Sequence, residues 1–75
     1  MSNTIQLDTS GLLCPEPVMM LHKAIRSMEA GDVVELIATD PSTERDVPKF
    51  CHFLGHILRQ QKSDEVAYYY TIEKV

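Results

Sequence analysis

Leu12-Leu13-Cys14-Pro15-Glu16-Pro17-Val18 is the stretch whose reading decides how this chain folds. A proline at the first helical position has its φ already set for helix entry, and the N–H it lacks would have been an orphan there. The run marks a helix N-terminus, with Cys14 as the cap and Pro15, Glu16 and Pro17 opening the first turn. Before it, Thr4-Ile5-Gln6-Leu7-Asp8 alternates apolar and polar residues as a half-buried strand does, and Ser10-Gly11 turns the chain toward Cys14. After it, Val18, Leu21, Ile25 and Met28 recur at helical spacing. The first helix is therefore predicted from about Pro15 to Met28, stopped by Ala30-Gly31-Asp32.

Val33 to Thr39 reads as a second strand, with Val34, Leu36 and Ala38 on one face and Glu35 on the other. Asp40-Pro41-Ser42-Thr43 is a turn. A second helix follows. Thr43 as its cap would put Pro48 deep inside, whereas Asp46 as its cap puts Pro48 in the first turn, where proline is tolerated, so the start is placed at Asp46. Val47, Phe50, Cys51, Leu54 and Leu58 then line the core side, with Gly55 near the end. Ile57 to Lys62 reads equally as the helix tail or as a polar strand. Ser63-Asp64-Glu65 is a turn. Val66 to Glu73 is the last strand, with Val66, Tyr68, Tyr70 and Ile72 on one face. The order β-α-β-α-β-β, with right-handed crossovers, predicts an α+β fold: a two-layer α/β sandwich, a four-stranded mixed sheet with both helices on one face.

Seventy-five residues form one domain, 1–75, with a thin core. A net charge of −4 argues against direct nucleic-acid binding. No apolar run is long enough for a membrane span and no signal peptide is evident, so a cytoplasmic protein with reduced cysteines is expected. Two cysteines supply neither a disulfide framework nor a CxxC pair.

At a helix N-terminus, the partial positive charge favours thiolate over thiol at Cys14, and a thiolate can attack, accept or hand on sulfur. Pro15 and Pro17 remove two backbone donors, and Glu16 adds a like charge, so the expected activation is modest. No general base is evident beside Cys14, and nothing in the chain binds a cofactor.

Leu7-Asp8, Gly11-Leu12 and Cys14-Pro15-Glu16-Pro17-Val18-Met19-Met20 together resemble the TusA (SirA-like) sulfur-carrier family. A second block carries the likeness further: Asp40-Pro41-Ser42-Thr43, Arg45-Asp46-Val47-Pro48, Phe50-Cys51 and Phe53, with Tyr68 and Tyr70 in the last strand. The resemblance spans nearly the whole chain and implies a two-layer α/β sandwich. It implies that Cys14 receives sulfane sulfur from a cysteine desulfurase as a persulfide and passes it to a downstream relay protein. The sulfur would end in 2-thiouridine of tRNA. Sulfur oxidation and cofactor assembly, including molybdenum cofactor, are other destinations of the family. A non-covalent regulatory or interaction module is the alternative class.

Around Cys14, the candidate partner-binding residues are Met19, His22, Lys23, Arg26, Asp40 and Arg45. Met19 falls off the apolar stripe, an adaptable docking contact. Lys23 and Arg26 on the first helix, with Arg45 and Lys49 at the start of the second, read by default as scattered surface charge; the alternative is a basic patch that steers docking and helps neutralise a thiolate. Asp40 and Asp46 are read as turn and cap residues, Asp40 also flanking the docking surface. Cys51 is read as a buried structural thiol, with a redox role as runner-up. His52 and His56, four apart on one helix, have a zinc-compatible spacing but no third ligand, so no metal is expected. A transiently docking monomer is the expected state.

Overall fold

The computed structural model describes residues 3–75. The elements run β1 (Thr4–Thr9), α1 (Glu16–Arg26), β2 (Val33–Ala38), α2 (Thr43–Leu54), β3 (Ile57–Ser63) and β4 (Tyr68–Glu73). They form one mixed sheet in the order β1-β2-β4-β3, with β1 parallel to β2 and the other two pairings antiparallel. Helix α1 packs on β1 and β2, helix α2 on β3 and β4, and the helices touch each other. This is the predicted sandwich.

The core lies between the sheet and the helices. Val34, Leu36 and Ala38 of β2 alternate inward, as do Tyr70 and Ile72 of β4; Leu21 and Ile25 of α1, Met28 just past it, and Val47 and Cys51 of α2 meet them. The expected stripe of α1 is thus the buried one, with Val18 half-buried at its start. Helix α1 ends at Arg26, before the predicted Met28. Ser27 and Met28 instead donate to Ala24 and Ile25 in a tightened last turn. The basic Lys23 and Arg26 occupy that turn, where the helix dipole favours positive charge.

Helix α2 corrects the sequence reading. Its cap is Ser42, and Pro48 sits in the interior. Proline there removes the N–H that would bond the carbonyl four residues back. That carbonyl belongs to Glu44, and it accepts a hydrogen bond from the Gln61 side chain of β3 at 3.4 Å. A neighbouring strand thus supplies the partner that the proline withholds. The earlier start moves Asp46 from the cap into the helix. At the other end, Leu54 is 47% exposed, and Gly55 closes the helix at φ 76°. Leu58, assigned to the helix, lies on β3, and His56 lies beyond Gly55, so His52 and His56 do not share a helix.

Ile57–Ser63 is a strand, not a helix tail. It is an edge strand whose register shifts between Leu58 and Gln60, and its polar residues suit an edge that faces water. Val66, placed on the core face by alternation, is 78% exposed and precedes β4; Ala67 is buried instead.

Four turns are each tied by an aspartate accepting backbone N–H groups. Asp8 accepts from Ser10, Asp32 from Asn3 and Glu29, Asp40 from Ser42 and Cys14, and Asp64 from Val66 and Ala67. At Asp8 the Ser10 hydroxyl leads and its N–H adds to it, and at the other three the backbone bonds lead, so all four carboxyls are held below the usual carboxylate pKa.

Candidate functional site

The loop between β1 and α1 is held from the end of β2. Gly11, at φ 82°, donates its N–H to Thr39 Oγ1 at 2.8 Å, and Cys14 donates its N–H to Asp40 Oδ2 at 2.5 Å. Asp40 is fixed in turn. Its Oδ1 accepts the Ser42 N–H at 3.0 Å, and its carbonyl accepts the Thr43 hydroxyl at 2.7 Å. Thr43 Oγ1 also accepts the buried Tyr70 hydroxyl at 2.8 Å. A line of hydrogen bonds therefore runs from β4 in the core through the start of α2 to the backbone of Cys14.

Cys14 is exposed. The cap position of α1 is Pro15, not Cys14, and no side chain caps the helix. The Cys14 sulfur turns instead to α2, where its thiol donates to Asp46 Oδ2 at 3.3 Å. Asp46 Oδ1 pairs with Arg45 Nε at 3.2 Å. The contact with Asp46 pushes the Cys14 pKa up, helped by desolvation and by the charges of Asp46 and Asp40; the Ser42 side chain opposes it. This overturns the expected activation. The cysteine is one residue short of the helix cap, and two carboxylates lie in hydrogen-bond contact with it.

Beside the sulfur, α1 and α2 diverge into an open groove of about 570 Å³. Cys14, Pro15, Val18, Met19 and His22 form one wall; Asp46, Lys49, Phe50, Phe53 and Leu54 form the other. His22 meets the Phe50 ring edge-on with centroids 5.8 Å apart. Met19 is 62% exposed and Phe53 74%, a large apolar surface for a chain this small.

A family model described as sulfurtransferase TusA matches residues 5–74. The chain belongs to the TusA family. The TusA-family relatives include the sulfur carrier protein TusA of Pseudomonas putida, 59% identical over 68 residues, which cover 91% of this chain and 85% of that protein. The sulfur carrier protein TusA of Pseudomonas aeruginosa is 56% identical over 68 residues, covering 91% and 86%. A crystal structure of a SirA-like protein from Desulfitobacterium hafniense superposes with a TM-score of 0.80 at 27% identity, covering 92% of this chain and 95% of that one.

In this TusA-family chain, Cys14, Met19 and His22 meet in the groove, and Asp40 holds Cys14 from behind. Arg45 reaches the site through Asp46. Lys23 and Arg26 line a separate depression with Met19, His22 and Ser27. Pro17 is buried, while Pro15 and Glu16 are exposed. Sequence reasoning missed Asp46, read as a cap, and took Leu54 for a core residue; Phe50 does pack against the core, as read, and lines the groove as well. It gave Phe53, which it knew only as part of the family resemblance, no place in the site. The missed signal is the run Asp46, Phe50, Leu54 at i, i+4, i+8, which one helix face must carry. Cys51 is 3% exposed, and burial pushes its thiol up to about 11. Among the described residues, no three His, Cys, Asp or Glu side chains converge to hold a metal, and no helix is long and apolar enough to cross a membrane.

Proposed function

We propose that Cys14 accepts sulfane sulfur from a cysteine desulfurase and passes it, as a persulfide, to a downstream relay protein. The Cys14 sulfur attacks the terminal sulfur of the donor's persulfide. The donor's S–S bond breaks, the donor cysteine departs as thiolate and takes up the proton Cys14 releases, and Cys14 holds the new S–S bond. The same exchange in reverse loads the acceptor, with no net oxidation or reduction. The tRNA 2-thiouridine pathway is the proposed destination, and the cytoplasm, where thiols stay reduced, the proposed compartment.

The observation that carries this reading is an exposed sulfur at the mouth of an apolar groove. A carrier needs a sulfur that a partner's active site can reach, and an apolar surface on which that partner can shield a persulfide from water. Met19, His22 and Phe53 supply the surface beside the sulfur, with Asp40, Arg45, Lys23 and Arg26 as polar flanks. Pro15 and Pro17 fix where α1 begins and so where Cys14 stands, with Glu16 between them.

Incubation with a cysteine desulfurase and cysteine, followed by intact-mass measurement, tests the proposal. One added sulfur, located on Cys14 and absent in Cys14→Ser, is the expected result. No added mass on the unaltered protein, or continued labelling of the variant, refutes it.

A further inference from the structure

The start of α2 brings two side chains of opposite hydrogen-bonding character to the neighbourhood of the Cys14 sulfur. Asp46 is an acceptor, with Oδ2 at 3.3 Å from Sγ. Ser42 is a donor without an occupation: its hydroxyl is buried and unpartnered. It stands close enough to favour the ionised forms of both Cys14 and Asp40.

The other local donors are in use. Cys14 gives its N–H to Asp40, and Glu16 gives its N–H to Leu13. At the start of α2, the N–H groups of Ser42 and Thr43 go to Asp40, and that of Glu44 goes to Pro41. Pro15 and Pro17 have none. The titratable and charged groups around the sulfur are Asp40 before α2, Asp46 and Lys49 on α2, Arg45 behind Asp46, and His22 on α1, with Glu16 exposed in the first turn of α1. Of these, Asp40 and Asp46 are in hydrogen-bond contact with Cys14.

We propose that Asp46 is a positioning residue that holds empty Cys14 as the thiol, and that Ser42 is the donor to which the sulfur turns when it gives up its proton. A thiol can donate to Asp46; a thiolate cannot, and is repelled by it. A thiolate can accept from Ser42, whose hydroxyl then gains the partner it lacks. The empty cysteine is thereby kept slow toward stray electrophiles, because the thiolate is the reactive form. The consequence for sulfur transfer rests on the carrier reading above; the exchange of hydrogen bonds does not.

The test is the pH dependence of iodoacetamide alkylation of the native protein, for the unaltered chain, Asp46→Asn and Ser42→Ala. Cys51 is buried and stays unmodified, which peptide mass analysis verifies. Asp46→Asn is expected to speed alkylation near neutral pH about three- to tenfold, the span for removing one charge beside an exposed thiol, and to move the profile to lower pH. Ser42→Ala is expected to move it to higher pH. A profile for Asp46→Asn that superimposes on that of the unaltered chain overturns the role of Asp46; an unmoved profile for Ser42→Ala overturns that of Ser42. A direct thiolate-absorbance titration of the unaltered chain, which needs no variant, overturns the proposal if the Cys14 midpoint lies at or below the ordinary 9.0. Loading by a cysteine desulfurase is measured in parallel. Shifted alkylation profiles with no loading uphold the exchange and refute the carrier reading, and loading with unshifted profiles does the reverse.

Discussion

Thr43→Val is expected to be more damaging than the loss of a single hydroxyl suggests. Tyr70 is 2% exposed and donates to Thr43 Oγ1 at 2.8 Å; Thr43 donates onward to the Asp40 carbonyl at 2.7 Å. Tyr70→Phe removes one buried hydrogen bond and leaves Thr43 still bonded to Asp40, a cost of about 1 kcal/mol. Thr43→Val strands the Tyr70 hydroxyl in the core and also frees the Asp40 carbonyl of one donor, a cost of about 2–3 kcal/mol. A domain of this size loses roughly 4–8 °C of Tm per kcal/mol, so the two variants should differ by about 5–15 °C. The double variant sets a phenyl ring against a methyl group and strands no hydroxyl. It should be more stable than the two single costs summed, by about 1–2 kcal/mol of coupling. Thermal and urea unfolding followed by circular dichroism measure all three. Additive costs, or a Thr43→Val variant no less stable than Tyr70→Phe, would refute the picture of a hydrogen-bonded line from core to site.

Because Gln61 already partners the Glu44 carbonyl, Pro48→Ala should change Tm by no more than the equivalent of about 1 kcal/mol, whereas Gln61→Ala should cost about 1 kcal/mol with Pro48 in place and less in the Pro48→Ala background; equal costs in both backgrounds would contradict the account of α2. Burial holds the Cys51 thiol at about 11 against an ordinary 9.0, so the unfolded chain ionises first. Stability is then lost as pH rises from about 9 toward 11, and Cys51→Ala should flatten that limb of a urea-midpoint profile. Asp8, Asp32, Asp40 and Asp64 have lowered pKa values, so their contribution is present above the usual carboxylate range and lost as pH falls through and below it. Asp32→Asn should lessen the acid sensitivity while lowering stability at neutral pH, read from the same profile. Phe53→Asp should leave stability within about 0.5 kcal/mol, since the ring is exposed, and slow sulfur loading several-fold; loading at the unaltered rate would remove Phe53 from the docking surface.

Much of the fold was legible because the strong periodicities belong to elements with one wet and one dry face. Val34-Leu36-Ala38 and Leu21-Ile25-Met28 each state a face and an element type. The proline pair marked the start of the first helix to within one residue. What stayed illegible had physical reasons. β3 turns little apolar surface inward: Leu58 is half-buried and Ile57 exposed, so an edge strand looked like a fraying helix. Pro48 misled because its cost is met by Gln61, a residue distant in sequence. The cysteine itself was visible; its chemical environment was not. The Cys14 contacts with Asp40 and Asp46 span 26 and 32 residues, and a local reading saw the helix end and not the carboxylates facing it. The same gap hid the groove, since Asp46, Phe50 and Leu54 have a shared meaning once α1 is known to lie alongside.

The strand order has a consequence for how the molecule is assembled. β4 is the last strand in chain order, yet it lies between β2 and β3. The β3–β4 hairpin closes locally, from Ser63 to Tyr68, whereas β1 reaches β2 from Thr4 to Val33 and β2 reaches β4 from Val33 to Glu73. During synthesis, β1 and β2 can zip together early, but β2 keeps an open flank until the tyrosine-rich strand has left the ribosome. Nascent chains halted before Tyr68 should therefore remain protease-sensitive, and folding should complete in one late step that closes long loops.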